Sequence, residues 1–130
     1  RMLSGEYVLT KGDIVSCRRF EDSIALGNYD IDIHNPEGSG TSHYFFKDGE
    51  FYTIPYRCLV PKEIKNLLVA GRCISADHEA QTSVRIMPTV CCLGEAAGSA
   101  AALAYKYKTN MADVDVKKLR KLLSGSGAMV

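Results

Sequence analysis

Between Gly71 and Val90 the chain gathers residue types that bind anions and move protons: Gly71-Arg72-Cys73, His78 between Asp77 and Glu79, Arg85, and then Met87-Pro88-Thr89-Val90. Glycine lets backbone approach a ligand closely, and arginine pairs with carboxylate or phosphate through a planar fork of donors. A histidine flanked by carboxylates can take a proton near neutral pH, so His78 is a candidate general base, with Arg85 a candidate clamp for a substrate oxygen. The plainer alternatives are a solvated loop histidine and a salt-bridged arginine. Upstream, Tyr56-Arg57 is a second candidate contact for a carboxylate or a sugar oxygen, on the side where Tyr52 and the Asp32 face also point to substrate.

These residues need elements to hold them. Leu67 to Ala70 is an apolar run stopped by Gly71, which reads as a strand buried on both faces of a parallel sheet, and open α/β sheets bind ligands at such carboxyl ends. Pro88 suits the first turn of a helix, predicted here from about Pro88 to Tyr107 and ended by Asn110. The free amides and positive dipole end near Met87 to Val90 would stabilise negative charge on a ligand. Gly94, Gly98 and Ala102 recur every four residues on that helix. Each glycine costs about 1 kcal/mol relative to alanine, so close approach of another backbone or a ligand is expected there. Val116 to Leu123 predicts a second, amphipathic helix.

The first half reads differently. Tyr7 to Leu9 suggests a strand, and Thr10 with Asp13 a capping box opening a short helix to about Cys17 or Arg18. Tyr29 to His34 alternates like a half-buried strand, with Asp30, Asp32 and His34 on its polar face. After a turn-rich stretch from Asn35 to Thr41, Asp48-Gly49 lies between Tyr44–Lys47 and Glu50–Ile54, the pattern of a β-hairpin. Composition shifts from aromatic and polar to aliphatic and small near Cys58 to Pro61, which places a boundary there and divides the chain into 1–58 and 59–130. The Gly94-centred helix, the buried strand and the antiparallel first half together give an α/β class, or α+β if the chain stands alone.

At 130 residues with a net charge of +1, the chain has neither the basic footprint of a nucleic-acid binder nor a polybasic membrane patch. Cys17, Cys58, Cys73, Cys91 and Cys92 form an odd set without CxxC or zinc-ligand spacing, so no metal is expected and a reduced, cytoplasmic protein is. The apolar run from Val90 to Tyr105 falls short of the ~20 residues of a membrane span and contains Glu95, and no signal peptide is visible. No GxGxxG occurs anywhere in the chain.

The stretch NLLVAGRCISADHEAQTSVRIMPTVCCLGEAAGSAAALA, Asn66 to Ala104, resembles the carboxyl-terminal flavin-binding segment of FAD-dependent oxidoreductases related to fumarate reductase and succinate dehydrogenase flavoproteins. The likeness rests on GRxIS, SxRxMP and GxAAGxAAALA blocks and extends upstream through Tyr52–Pro61 and Tyr29–Gly38. It implies that 1–58 is part of a substrate (cap) domain, mostly antiparallel β. It also implies that 59–130 holds the last strand and helices of a Rossmann-like FAD-binding domain. Gly71, Arg72 and Cys73 would lie near the ribityl or pyrophosphate part of FAD, and Met87, Pro88, Thr89 and Val90 near the pyrimidine edge of the flavin. Arg72 departs from many relatives, which carry an acidic residue where the ribitol is held. The implied activity is that of a flavoprotein dehydrogenase moving a hydride between FAD and a small organic substrate. The partner would be a missing amino-terminal portion of the same polypeptide, and the isolated piece would be inactive and prone to self-association. The alternatives are a carbohydrate-acting, polysaccharide lyase-like enzyme using His78 or a tyrosine with Arg57, and a non-enzymatic structural module.

Overall fold

Thr10 sets the first element. In the computed structural model, which describes residues 3–34 and 41–130, its hydroxyl accepts the Asp13 amide while the Asp13 carboxylate takes the Thr10 amide. This capping box opens α1, Lys11–Val15, and matches the sequence expectation in kind, with a shorter helix. Asp13 is nearly buried. One of its oxygens, Oδ2, also takes Tyr7 Oη–H at 2.9 Å and the Thr10 hydroxyl at 2.8 Å, while Oδ1 takes Arg18 Nη1 at 2.8 Å.

Burial opposes ionisation of Asp13, but the Arg18, Thr10 and Tyr7 hydrogen bonds outweigh it and hold the carboxyl below the usual carboxylate range. A lowered folded-state pKa means stability that is present above the unfolded-state value and lost as pH falls through the folded one. Asp13→Asn is therefore expected to lower stability at pH 7 by roughly 1.5–3 kcal/mol. The variant should also flatten the loss of stability below about pH 4. Thermal melts from pH 7 to 2.5 check both, and an unchanged acid limb would remove Asp13 as its cause.

The strands that follow are β1, Ser23–Gly27; β2, Ile31–His34; β3, Thr41–Tyr44; and β4, Tyr52–Pro55. They make two separate antiparallel pairs, β1 with β4 and β2 with β3. Ile31 faces Tyr44 and His34 faces Thr41; Gly27 faces Tyr52 and Ser23 faces Pro55, with an irregularity between Ser23 and Ala25. The expected hairpin across Asp48-Gly49 does not form. Asp48-Gly49 is a turn, closed by the Glu50 amide on the Lys47 carbonyl at 3.0 Å with Gly49 at φ +84°, but the strands on either side pair elsewhere. β1, which no alternation in SIALG announced, takes β4 instead. Segment 35–40 of the turn-rich stretch lies outside the described residues.

A short 3-10 turn, Tyr56–Cys58, leads from β4 toward the expected strand at Leu67–Ala70. That strand is absent. Leu67 is exposed, the other three residues are only half-buried, and one backbone bond, Val69 N–H to the Leu59 carbonyl at 2.8 Å, ties the segment down. Tyr7 to Leu9 is likewise extended without forming a strand; its ladder amounts to isolated bridges, Gly5 to Pro61 antiparallel and Leu9 to Ala76 parallel. A strand needs a neighbouring strand to take its amides and carbonyls. Neither segment has one among the described residues, so the parallel sheet is not built and the class is α+β.

The second half is helical: α2, His78–Val84; α3, Met87–Tyr107; and α4, Val116–Gly125. Both predicted helices appear within two residues of their expected ends. The C-cap of α3 is Lys108 in the left-handed region, ahead of Asn110, and Asp115 caps α4 through the Lys117 and Lys118 amides. α3 packs on β1 and α4, and α2 on β2. One buried cluster joins both halves of the chain, drawing Ile24, Tyr52 and Ile54 from the strands and Leu93, Ala96, Ala100, Leu119 and Leu123 from the helices.

α3 buries only one side, Thr89, Leu93, Ala96, Ala100 and Ala104. Its other side, with Cys91, Cys92, Gly94, Glu95, Gly98, Ala102 and Tyr105, is exposed. A Cβ added at Gly94 or Gly98 would meet no atom within 4 Å, so the expected close packing at these glycines is not made within this chain. The 21-residue helix is also longer than the apolar run suggested; by length and composition alone it could cross a membrane.

Candidate functional site

α2 is the element the sequence reading missed, and it organises the site. Asp77 is its N-cap: one carboxylate oxygen takes the Ala80 amide at 2.7 Å and the other reaches the Lys11 amide at 2.9 Å, so a single side chain joins the starts of α1 and α2. Asp77 followed by Ala80, Ser83 and Val84, the buried residues of α2 at helical spacing, was the available signal. The polar residues between them made the stretch read as loop. Ser83 then anchors the helix to the sheet: the Tyr52 hydroxyl lies 2.8 Å from Ser83 Oγ, which donates in turn to the Tyr29 carbonyl.

The turn Gly71-Arg72-Cys73 packs against this helix. Gly71 sits at φ +113°, a conformation that favours glycine, and the Ile74 amide reaches back to its carbonyl at 3.4 Å. Gln81 Nε2 donates to the Arg72 carbonyl, and Arg72 Nε donates to the Arg85 carbonyl at 3.0 Å. Arg85 is the C-cap of α2 and stands two residues before Met87, where α3 begins. One hydrogen bond that sequence spacing did not indicate thus links the Gly71–Cys73 turn to the residue two before the start of α3.

The start of α3 is open. Ile86 caps it without a side-chain hydrogen bond, and Pro88 has no amide to offer. Val90 is the first amide to find a backbone carbonyl, that of Ile86 at 3.0 Å. The amides of Met87 and Thr89 come before it, at the positive end of a helix about 30 Å long. Met87 is 74% exposed, Pro88 is exposed and Thr89 is buried. On α2, Gln81 Oε1 is buried with no hydrogen-bond partner among the described residues.

His78 and Arg85 are not brought together. His78 is the first residue of α2 and Arg85 lies at its far end, about 10 Å along the axis at 1.5 Å per residue. Both are exposed, and His78 makes no hydrogen bond among the described residues. Cys73 is exposed, with Sγ 3.9 Å from the Ala70 carbonyl.

Tyr56 and Arg57 line a different place, a cleft of about 560 Å³ shared with Arg18, Arg19, Phe20 and Asp22. Tyr56 is buried, and its hydroxyl donates to the Met111 carbonyl at 2.7 Å; burial pushes its pKa up. Arg57 forks onto Asp22, Nε to Oδ2 at 2.8 Å and Nη2 to Oδ1 at 3.2 Å, and lies over the Tyr7 ring at 5.0 Å. The salt-bridged alternative thus describes Arg57 in this chain. Asp22, its partner 35 residues away, carried no sequence signal. Tyr52 is buried against Ser83, and burial raises its pKa to about 12.

All five cysteines are free thiols, and burial pushes Cys58 up to about 12, which leaves that thiol inert near neutral pH. Among the described residues no group of three or more His, Cys, Asp and Glu side chains could hold a metal ion; the Asp32 and His34 side chains fall outside that description.

A family model described as FAD dependent oxidoreductase matches residues 1–123. Comparison with curated proteins and with solved structures finds no match.

Proposed function

Because the chain belongs to the FAD-dependent oxidoreductase family, we propose that its Gly71–Cys73 turn and the start of α3 form one edge of a flavin site whose remainder comes from a preceding portion of the same polypeptide. The observation that carries this is the Arg72 side chain on the Arg85 carbonyl, two residues ahead of the exposed Met87 that begins α3. The fit to FAD is that of an edge. The amide at exposed Met87 and an arginine whose terminal nitrogens make no hydrogen bond among the described residues suit an anionic, hydrogen-bonding group. The absence of GxGxxG agrees with a missing first half.

FAD, when bound, supplies the acceptor or donor of a hydride exchanged with a small organic substrate, as in the fumarate reductase-like dehydrogenases. The helix start of this chain stabilises negative charge at the edge of the ring system it meets. His78, exposed and without a hydrogen-bond partner among the described residues, is placed to take a substrate proton, and Arg85 to hold a substrate oxygen. Residues 1–58 form the substrate side and 59–130 the cofactor side, in a reduced, cytoplasmic protein.

The isolated chain should bind FAD no tighter than about 100 μM, since an edge lacking its phosphate cradle forgoes most of the contact energy. Fluorescence titration of FAD into the purified 130-residue chain checks this. Sub-micromolar binding with a shifted flavin absorbance would show that the site is complete here, and would overturn the half-site reading.

A further inference from the structure

Gln81 holds Arg72, the residue on which the flavin-site reading depends. Gln81 lies within α2, and Arg85 is the C-cap of that helix four residues on. Arg72 is tied to this helix through both its main chain and its side chain. Its carbonyl takes Gln81 Nε2, and its Nε–H reaches the Arg85 carbonyl at 3.0 Å. Gln81 Oε1 is buried and has no hydrogen-bond partner among the described residues. An amide placed at such a desolvation cost is placed for its other end.

The consequence concerns the guanidinium. With Nε on the Arg85 carbonyl, the terminal nitrogens of exposed Arg72 make no hydrogen bond among the described residues. No acidic partner is bonded to them among the described residues. A pre-oriented fork of this kind suits an oxyanion with two accessible oxygens and gains little from a neutral hydroxyl.

We propose that Gln81 is a positioning residue which, with the Arg85 carbonyl, presets Arg72 to take a phosphate oxyanion, the diphosphate of the dinucleotide rather than its ribityl hydroxyls. The proposal rests on the flavin-site reading for the identity of the ligand, but not for the clamp itself. It also assigns the position at which this chain carries arginine in place of an acid.

The test uses the 130-residue chain with inorganic pyrophosphate as probe, followed by NMR of the arginine Nε–H groups and by equilibrium titration, with ADP and riboflavin as further arms. Wild type should bind pyrophosphate and ADP weakly and in a salt-sensitive way, and riboflavin no better than background. Arg72→Gln should lower pyrophosphate affinity on the order of tenfold. Gln81→Met, which keeps the charge of the site, should lower it about threefold. It should also expose the Arg72 Nε–H to rapid exchange, a change that a general loss of stability would spread over the whole chain. Arg72→Lys, at an exposed position where folding is not at stake, should behave like Arg72→Gln.

Pyrophosphate affinity and Arg72 Nε–H protection that survive Gln81→Met would overturn the proposal. So would full affinity in Arg72→Lys, or no pyrophosphate binding by wild type. Retained pyrophosphate binding in a longer polypeptide that takes up no flavin would sink the flavin reading while leaving the clamp intact.

Discussion

Gly27→Ala is expected to lower the stability of the chain by about 2–3 kcal/mol, the cost of overpacking a filled core. A Cβ at residue 27 would lie 2.4 Å from both Cζ and Oη of Tyr52, its partner across the β1–β4 pair. Tyr52 cannot yield cheaply: it is fully buried, and its hydroxyl is bonded to Ser83 on α2. Moving the ring breaks that bond and strands a buried hydroxyl. For a chain of this size the melting temperature should fall by about 10 °C. Since Ser83 fixes α2, and α2 holds both Arg72 and the lead into α3, the damage should reach the Gly71–Cys73 turn as faster amide exchange there. A melting temperature within a degree of wild type would mean that Tyr52 has room not visible in the packing.

Gly94 and Gly98 should respond in the opposite direction. Each occupies a helix interior with nothing within 4 Å of the position a Cβ would take. Replacing both by alanine removes about 1 kcal/mol of helix penalty apiece, so the double variant should be more stable by roughly 1.5–2 kcal/mol and melt some 6–8 °C higher. In a longer polypeptide that covers this face, the same pair of methyl groups should lower flavin loading, because backbone that approaches a glycine closely meets them. The two measurements, stability of the chain alone and flavin content of the longer polypeptide, separate a face that is open by design from one awaiting its cover. If the double variant destabilises the isolated chain, the exposed placement of the glycines is wrong.

Much of the helical half was legible because its signals are short-range. Thr10 and Asp13 are three residues apart and cap each other directly, Pro88 has the backbone angle of a first helical turn already set, and Val116 to Leu123 carries its apolar stripe every three or four residues. The Asp48-Gly49 turn was legible for the same reason, since it needs only its own backbone. The hairpin around it was not, because a turn does not choose strand partners: Tyr52–Pro55 found Ser23–Gly27, and Thr41–Tyr44 found Ile31–His34. Leu67–Ala70 looked like a buried strand on composition, yet burial of both faces requires neighbours that the described chain does not provide.

The site divides along the same line. The sequence by itself determined which residues are equipped to meet a flavin nucleotide: glycine where the backbone turns, an arginine, a helix start with free amides, and the block pattern that carries the family likeness. Only the tertiary structure decided which of them act together. It joined Arg72 to Arg85 across 13 residues and to Gln81 across nine, gave Arg57 to Asp22 and Tyr56 to Met111, and set His78 at the far end of α2 from Arg85. It also turned Gly94 and Gly98 outward, against the packing expected of them. Caps, turns and helical periods are set by atoms within a few residues of one another, whereas strand partners, ion pairs and the covering of a face depend on chain that arrives from far away in sequence.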